Sequence, residues 1–247
     1  MRPDTRTAFF RRNIHALISA CALIGLLGCQ PAITPVSRAT PLILTVQITP
    51  ALDRLRPAFH TCAGEEGLGL VVTSLPAPAL DPSQASLSLR WSAPPETNDY
   101  AAVVAQEALT FIVHPDNPLN TITHADLRAV YTGGQLTGGD LHPWAYPAGD
   151  DVQQAFETIL LEGPPQQPLP VFLAPDPAAM LEAVAQDPAA LGFLPAGWLN
   201  DQVRALEVTG LSSDQLTQPI LALSPTEPQG PARGWLLCLQ TQIAGSP

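Results

Sequence analysis

Apolar and polar residues alternate along the chain in blocks whose spacing distinguishes strands from helices. Short apolar runs bounded by turn residues are typical of strands, whereas apolar residues three and four positions apart are typical of one helix face. The runs predict strands over residues 42–46, 68–74, 85–91, 109–113, 142–146, 169–173, 191–194 and 219–223. The helical spacing predicts helices over residues 50–64, 124–131, 152–160, 177–186 and 230–243.

Residues that typically begin helices occur at the starts of two of the predicted helices. Thr49 and Pro50 form an N-cap followed by proline at the first helical position. Thr123, with Asp126 three residues later, is similar to a capping box. Because strands alternate with helices or loops along the chain, the sequence predicts an α/β protein with a largely parallel sheet.

The N-terminal segment has the features of an export signal. An arginine-rich start precedes an uncharged apolar run over residues 16–28, which is too short to span a bilayer as a helix. The run ends in Leu-Leu-Gly before Cys29 and resembles a bacterial lipoprotein signal. We therefore expect residues 1–28 to be removed and Cys29 to be lipidated, with a plain signal peptide as the alternative. Residues 29–40, rich in Pro, Thr and Ser, are expected to form a flexible tether.

Composition and charge narrow the possible functions. The 247 residues include 11 basic side chains, all arginine, and 22 acidic ones, which gives a formal net charge of −11. Removal of residues 1–28 would take away four Arg and one Asp and leave a net charge of −14. Nucleic-acid binding needs a basic stripe, so no nucleic-acid partner is expected. Most of the 28 prolines fall in the tether, in predicted loops and at first helical positions, where an ordered fold tolerates them.

Two cysteines, Cys62 and Cys238, remain after the export segment. In an exported protein such a pair can form a disulfide, and two separately buried thiols are the alternative. The sequence contains no Cys-x-x-Cys pair and its five histidines are scattered, so no metal site and no cofactor are expected. The sequence also lacks the nucleophile-elbow, phosphate-loop and zinc-protease motifs, which argues against an enzyme.

Three segments from residue 109 onward share their order with a known family. Residues 109–134 (LTFIVHPDNPLNTITHADLRAVYTGG) resemble a strand that ends in Asn-Pro-Asp-Asn-Pro and leads into a helix. Residues 187–194 (DPAALGFL) are similar to an Asn-Pro-Gly-Ala-Ile-Gly-Tyr-Val segment, and residues 218–223 (QPILAL) to a returning strand. Together they resemble the phosphate-binding-protein-like solute receptors of ABC transporters. In the order and spacing of its elements, the resemblance covers roughly residues 42–245.

The resemblance implies a two-lobed type II periplasmic-binding-protein fold, in which two α/β lobes, each a mostly parallel sheet flanked by helices, close on a ligand. Lobe 1 is expected to comprise residues 41–105 and 196–247, and lobe 2 residues 106–195. This division would place Cys62 and Cys238 on two helices of lobe 1, and it therefore favours a disulfide between them.

The family's ligand site supplies candidate binding residues. Such receptors hold a tetrahedral oxyanion with hydroxyls and backbone N–H groups at helix N-termini, because first-turn N–H groups lack partners and the helix dipole favours negative charge there. The resemblance implies that ligand contacts come from the matching positions of this chain: Thr49, Arg90, Ser92, Gly149, Asp150 and Asp151.

Two of these candidates depart from the family pattern. Asp150 and Asp151 stand where the family has a Gly-Ser-Gly-Thr-Arg type of sequence, so carboxylates replace hydroxyls and a cation. A like charge about 4 Å from an anion costs about 4 kcal/mol at an effective dielectric constant of about 20. One alternative is that a carboxylate accepts a proton from a protonated oxyanion, and another is that the two aspartates only cap the helix. Arg90 could supply positive charge to the cleft, and a surface arginine is the alternative for it.

Two functions are compatible with these observations. The first is a membrane-anchored extracytoplasmic solute-binding protein of an ABC uptake system, monomeric, with phosphate or a related oxyanion as ligand and a permease as partner. The second is a non-transport sensor or interaction module that has kept the two lobes and lost the anion-binding loops. In both cases the lipid at Cys29 would hold the protein on the outer face of the cell membrane.

Overall fold

The computed structural model describes residues 42–94, 96–134 and 141–244. The predicted signal peptide, the lipidated Cys29 and the tether lie outside the described residues. Within the described part, no helix combines the length and apolar character needed to cross a membrane.

Strands and helices alternate along most of the described chain. The strands are β1 (Ile43–Ile48), β2 (Gly69–Ser74), β3 (Leu87–Trp91), β4 (Tyr100–Val113), β5 (Thr121–Thr123), β6 (His142–Ala145), β7 (Phe172–Leu173), β8 (Ala190–Pro195), β9 (Arg204–Ala205), β10 (Glu207–Thr209) and β11 (Thr217–Ser224). The α-helices are α1 (Arg56–Glu65), α2 (His124–Tyr131), α3 (Asp151–Leu160), α4 (Pro177–Gln186), α5 (Ser213–Leu216) and α6 (Gly230–Ala244). Short 3₁₀ helices span Pro50–Leu55, Ala77–Ala79 and Ala196–Trp198.

Most predicted elements are confirmed, with differences where local signals compete. The first predicted helix begins as a 3₁₀ turn, Pro50–Leu55, and becomes an α-helix at Arg56, which precedes a second proline, Pro57. The strand predicted at 169–173 is reduced to β7, because prolines on its N-terminal side remove backbone donors. The short elements β5, β9, β10 and α5 carry too few residues to show a period, and the sequence did not predict them.

The main sheet has the strand order β2-β1-β3-β11-β4-β8-β6-β7, and β9 pairs with β4. Strands β1, β2 and β3 are parallel, and so are β6, β7 and β8. Strand β11 runs antiparallel to β3 and β4, and β4 runs antiparallel to β8. The predicted α/β class with mostly parallel groups of strands is therefore confirmed, and the two antiparallel strands β4 and β11 join the groups.

Strand β4 belongs to both halves of this sheet. Residues 100–108 pair with β11, and residues 109–113 pair with β8. The change of partner lies close to the predicted start of lobe 2 at residue 106, and the lobe boundaries themselves stay a prediction.

A hydrogen-bonded carboxylate marks the place where β4 changes partner. Glu107 Oε1 accepts a hydrogen bond from Arg54 at 2.5 Å and from the Gly197 backbone N–H at 2.5 Å. Its second oxygen, Oε2, accepts a hydrogen bond from Trp91 Nε1 at 3.0 Å. The Glu107 side chain is only 8% exposed, so these donors offset the cost of burying its charge.

Aromatic side chains fill two parts of the core. Phe156 of α3 stacks on Phe193 of β8 with ring centroids 4.2 Å apart, and Tyr131 meets the edge of Phe156 at 4.6 Å. In the second part, Phe59 of α1 packs against Trp235 of α6 at 5.6 Å. These contacts fix α3 on the sheet and α6 on α1, because large aromatic rings bury extensive apolar surface.

A disulfide joins α1 to α6. Cys62 and Cys238 are bonded with their Cα atoms 5.7 Å apart, and they are 176 positions apart in sequence. Beside the bond, Trp235 Nε1 donates a hydrogen bond to the Phe59 carbonyl at 3.0 Å. The C-terminal helix is therefore attached to the first helix by covalent, polar and aromatic contacts.

Candidate functional site

Three predicted segments, far apart in sequence, meet at one buried place. Thr49 follows β1, Arg90 to Ser92 end β3, and Asp150 with Asp151 begins α3. All six side chains are buried, with exposures of 9% or less. We call this set the junction: Thr49, Arg90, Trp91, Ser92, Asp150 and Asp151.

Asp151 reaches from α3 to the end of β3. Its Oδ2 accepts the Trp91 backbone N–H at 2.8 Å, and its Oδ1 accepts the Val152 N–H at 3.1 Å. The Ser92 hydroxyl donates to the Asp151 backbone carbonyl at 3.1 Å. Asp151 has no exposed surface, so it connects α3 to the β3 loop through both its side chain and its main chain.

Asp150 caps the same helix. Its Oδ1 accepts the backbone N–H groups of Val152 at 2.9 Å and Gln153 at 3.3 Å. This geometry is that of an N-cap, which satisfies first-turn donors and places negative charge at the positive end of the helix dipole. The capping role considered for Asp150 is therefore confirmed, while Asp151 has partners beyond its own helix.

Burial raises the pKa of both aspartates. For Asp150 the loss of hydration is the main cause, and the neighbouring Asp151 charge raises its pKa further. For Asp151 burial is again the main cause, opposed by Thr49, by the Arg90 charge and by backbone donors. Two adjacent buried carboxylates therefore hold protons more readily than exposed ones.

Arg90 is the cation of the junction. Burial lowers the pKa of its guanidinium, and the charges of Asp151 and Asp150 oppose that shift. Its Nη2 donates to the Gln154 side-chain oxygen at 2.9 Å. Its Nε is buried without a hydrogen-bond partner among the described residues. Arg90 therefore keeps a donor unused beside two carboxylates.

The Thr49 hydroxyl is a second donor without a well-aligned acceptor. It is fully buried and lies beside the Asp151 carboxylate, and donation toward that carboxylate lowers the pKa of Asp151. Within the described part of the chain, no acceptor stands in full hydrogen-bond geometry to it. Because a poorly satisfied buried hydroxyl costs free energy, Thr49 is a donor that a better-placed acceptor could engage.

Two residues of the surrounding loops have positive φ angles. Ser92 has φ +65°, an uncommon conformation for a residue with a side chain, and it is held there by its N–H bond to the Pro219 carbonyl at 2.9 Å. Gly149 has φ +88°, and a Cβ atom at this position would stand 2.9 Å from Pro78 Cγ. The loop before α3 therefore requires glycine at position 149.

A cavity of about 940 Å³ adjoins the junction. Ser92 and Gly149 line it on the side of the junction, and Gln154, Glu157, Thr158 and Gln218 add polar groups. Prolines and glutamines of the segment 164–168 form much of the remaining wall. A small solute therefore has room beside the junction, next to amide and hydroxyl groups and one carboxylate.

Five of the six predicted ligand residues belong to the junction. The sixth, Gly149, directly precedes Asp150 in the chain. Sequence reasoning missed the Trp91 backbone N–H and the Gln154 side chain, which bonds to Arg90. Gln154 lies one turn after Asp150 on α3, so helical spacing could have placed it on the same helix end. A backbone donor such as Trp91 N–H has no sequence signature.

The donors at the junction suit an anion. Backbone N–H groups, a hydroxyl and a guanidinium are the groups that hold oxyanions at helix N-termini. The two aspartates add negative charge to the same place, so an incoming anion meets both attraction and repulsion. Among the described residues no group of three His, Cys, Asp or Glu side chains is placed to hold a metal ion.

No protein-family model matches the sequence, and no curated protein is similar to it in sequence. Solved structures are similar in fold. An ABC-type phosphate transport receptor from Vibrio cholerae superimposes with a TM-score of 0.63 at 17% identity, over 81% of this chain and 95% of the receptor. A protein from Clostridium perfringens assigned as a phosphate ABC transporter substrate-binding protein, with bound phosphate, gives 0.67 at 14% identity, over 80% and 92%.

A second group of similar structures consists of regulatory domains. The regulatory domain of a LysR family regulator from Neisseria meningitidis superimposes with a TM-score of 0.60 at 17% identity, over 83% of this chain and 95% of that domain. Identities this low establish the fold alone. The chain therefore has the type II periplasmic-binding-protein fold, which phosphate receptors and LysR-type regulatory domains share.

Proposed function

We propose that the protein is an extracytoplasmic solute-binding protein of an ABC uptake system that binds a small oxyanion, phosphate or a related ion, at the junction. The ligand would lie between lobe 1, residues 41–105 and 196–247, and lobe 2, residues 106–195. Its role is binding without catalysis, its partner is a membrane permease, and it works as a monomer. Residues 1–28 direct export, and lipid on Cys29 holds the protein at the outer face of the membrane.

One observation carries the ligand part of the proposal. Thr49, Arg90 and Ser92 from one predicted lobe meet the N-terminus of α3 from the other, and two polar atoms there, Thr49 Oγ1 and Arg90 Nε, lack partners within the described residues. Hydroxyl, guanidinium and helix N-terminus are the donors that recognise a tetrahedral anion. Support from outside the chain is that a similar structure from Clostridium perfringens contains phosphate.

Thermal unfolding with candidate ligands tests the proposal. The full chain in mild detergent is heated with phosphate, sulfate, molybdate, tungstate, amino acids or sugars, one at a time. A ligand at 100 times its Kd adds about 2.7 kcal/mol to the free energy of unfolding, which raises the Tm by several degrees. Replacement of Arg90 by Gln should abolish the shift, because the cation at the junction is lost.

The control for that variant is Arg128→Gln. Arg128 is partly exposed and pairs with Glu162 at 3.3 Å, outside the junction, so its replacement should leave the ligand shift unchanged. If no oxyanion shifts the Tm of the unmodified chain, the transport role loses its support. The sensor or interaction module would then be the function to test.

A further inference from the structure

The junction already holds an anion, the side chain of Asp151. The Trp91 N–H donates to its Oδ2 at 2.8 Å, and the Val152 N–H donates to its Oδ1 at 3.1 Å. The Arg90 charge acts on the same carboxylate, and the Thr49 hydroxyl lies beside it. The groups that suit a free oxyanion therefore surround a carboxylate that belongs to the chain.

The donor set is larger than this carboxylate satisfies. Thr49 Oγ1 lies beside Asp151 but has no acceptor in full hydrogen-bond geometry in the described ranges, and buried Arg90 Nε has none either. A planar carboxylate offers two oxygens, whereas a tetrahedral oxyanion offers four in different directions. These two donors are therefore better matched to a tetrahedral anion than to Asp151.

We propose that Asp151 is an internal ligand of the junction, and that an oxyanion binds there by displacing its carboxylate from the Trp91 N–H. This inference rests on the proposed function, because it specifies how the same site is regulated. Local charge favours displacement over simple addition. Among the described residues, Arg90 is the cation whose charge acts on Asp150 and Asp151, so an anion added beside both carboxylates would meet strong repulsion. Displacement moves the Asp151 carboxylate away from the bound ion and weakens that repulsion.

The displaced carboxylate and the incoming ion have a route. Ser92 and Gly149 line the cavity of about 940 Å³ that adjoins the junction, and Gln154, the partner of Arg90, lines it as well. Arg90 itself does not line the cavity, so an ion would reach it by movement of the Gln154 side chain. Asp151 is the first residue of α3, so rotation of its side chain need not break the helix, which Asp150 continues to cap.

Calorimetric titration of the full chain with phosphate and with sulfate tests the inference. Asp151→Ser removes the carboxylate and supplies a hydroxyl, and Asp151→Asn keeps an oxygen that can accept the Trp91 N–H. Both variants should bind phosphate with a Kd at least about tenfold lower than that of the unmodified chain, because a competing like charge is removed. Asp126→Asn is the matched control, since Asp126 is also a first-turn acid but is exposed on α2.

The outcomes separate the inference from the proposed function. Tighter binding by the Asp151 variants, with Asp126→Asn unchanged, supports displacement. A folded Asp151 variant that binds phosphate no more tightly than the unmodified chain overturns it, although phosphate binding by the unmodified chain would still support the proposed function. If neither the unmodified chain nor any folded variant binds phosphate or sulfate, both proposals fail.

A measurement on the unmodified chain decides the matter if both variants fail to fold. The backbone amide resonance of Trp91 reports its acceptor, so saturation with phosphate should shift it as the ion replaces the Asp151 carboxylate. Bound phosphate with no shift at Trp91 would show that Asp151 keeps its place, and displacement would be wrong.

Discussion

Reduction of the Cys62–Cys238 disulfide should remove a large part of the folding free energy. The bond closes a loop of 176 positions in the unfolded chain. On the chain-entropy relation a loop of this length stabilises the folded state by about 5 kcal/mol at 25 °C. Because domains are stable by only about 5–15 kcal/mol in total, the reduced protein should be close to its stability limit. For a domain of this size the Tm should fall by about 10–20 °C.

Urea denaturation with and without a phosphine reductant measures this difference. Reduction leaves the side-chain packing of α1 and α6 in place, so it isolates the covalent constraint better than substitution does. The double variant Cys62→Ala/Cys238→Ala is the control, because reductant should then have no effect through this bond. If mass spectrometry shows the bond formed and reduction costs less than about 1 kcal/mol, the unfolded chain is not constrained as the entropy argument requires.

Further changes probe the junction, the loop before α3 and strand β4. Glu107→Gln should lower the free energy of unfolding by about 2 kcal/mol in urea, because the buried partner of Arg54 loses its charge; a change below about 0.5 kcal/mol would contradict this. Burial raises the pKa of Asp151 to about 6 and that of Asp150 to about 7, so the folded state holds protons that the unfolded chain releases. Stability should therefore fall as pH rises from about 4 through about 7, and the fall should be shallower in Asp151→Asn. A pH profile by thermal unfolding in which the variant keeps the full slope would refute it. Gly149→Ala should cost about 1–2 kcal/mol through its positive φ and the Pro78 contact, whereas Gly64→Ala, inside α1 with open space around it, should be neutral or stabilising.

Local signals predicted the elements that build the junction. Thr49 and Asp150 stand at strand-to-helix turns, which have periodic segments on either side. Asp150 caps its helix, whereas the Thr49 side chain makes no capping hydrogen bond, contrary to the prediction. The family resemblance then grouped these turns at one cleft, and the structure does bring them together. The sequence could therefore indicate which segments meet.

The partners inside the junction were beyond sequence reasoning. Two adjacent aspartates at a helix start are chemically alike, and only the packing of α3 against β3 makes Asp150 a cap and Asp151 a bridge to Trp91. Glu107 shows the same limit, because its partners Arg54 and Gly197 are 53 positions before it and 90 after it. Contacts at such separations depend on the tertiary fold and leave no local pattern.

Strand β4 has a mechanical consequence. It is continuous across the change of partner at Ala108 and Leu109, so any motion between the two halves must deform a hydrogen-bonded strand. Extended strands accept added twist more readily than a sharp bend. Ligand exchange should therefore proceed as torsion about the axis of β4 with little change in molecular dimensions, and small-angle scattering with and without ligand should give nearly the same radius of gyration.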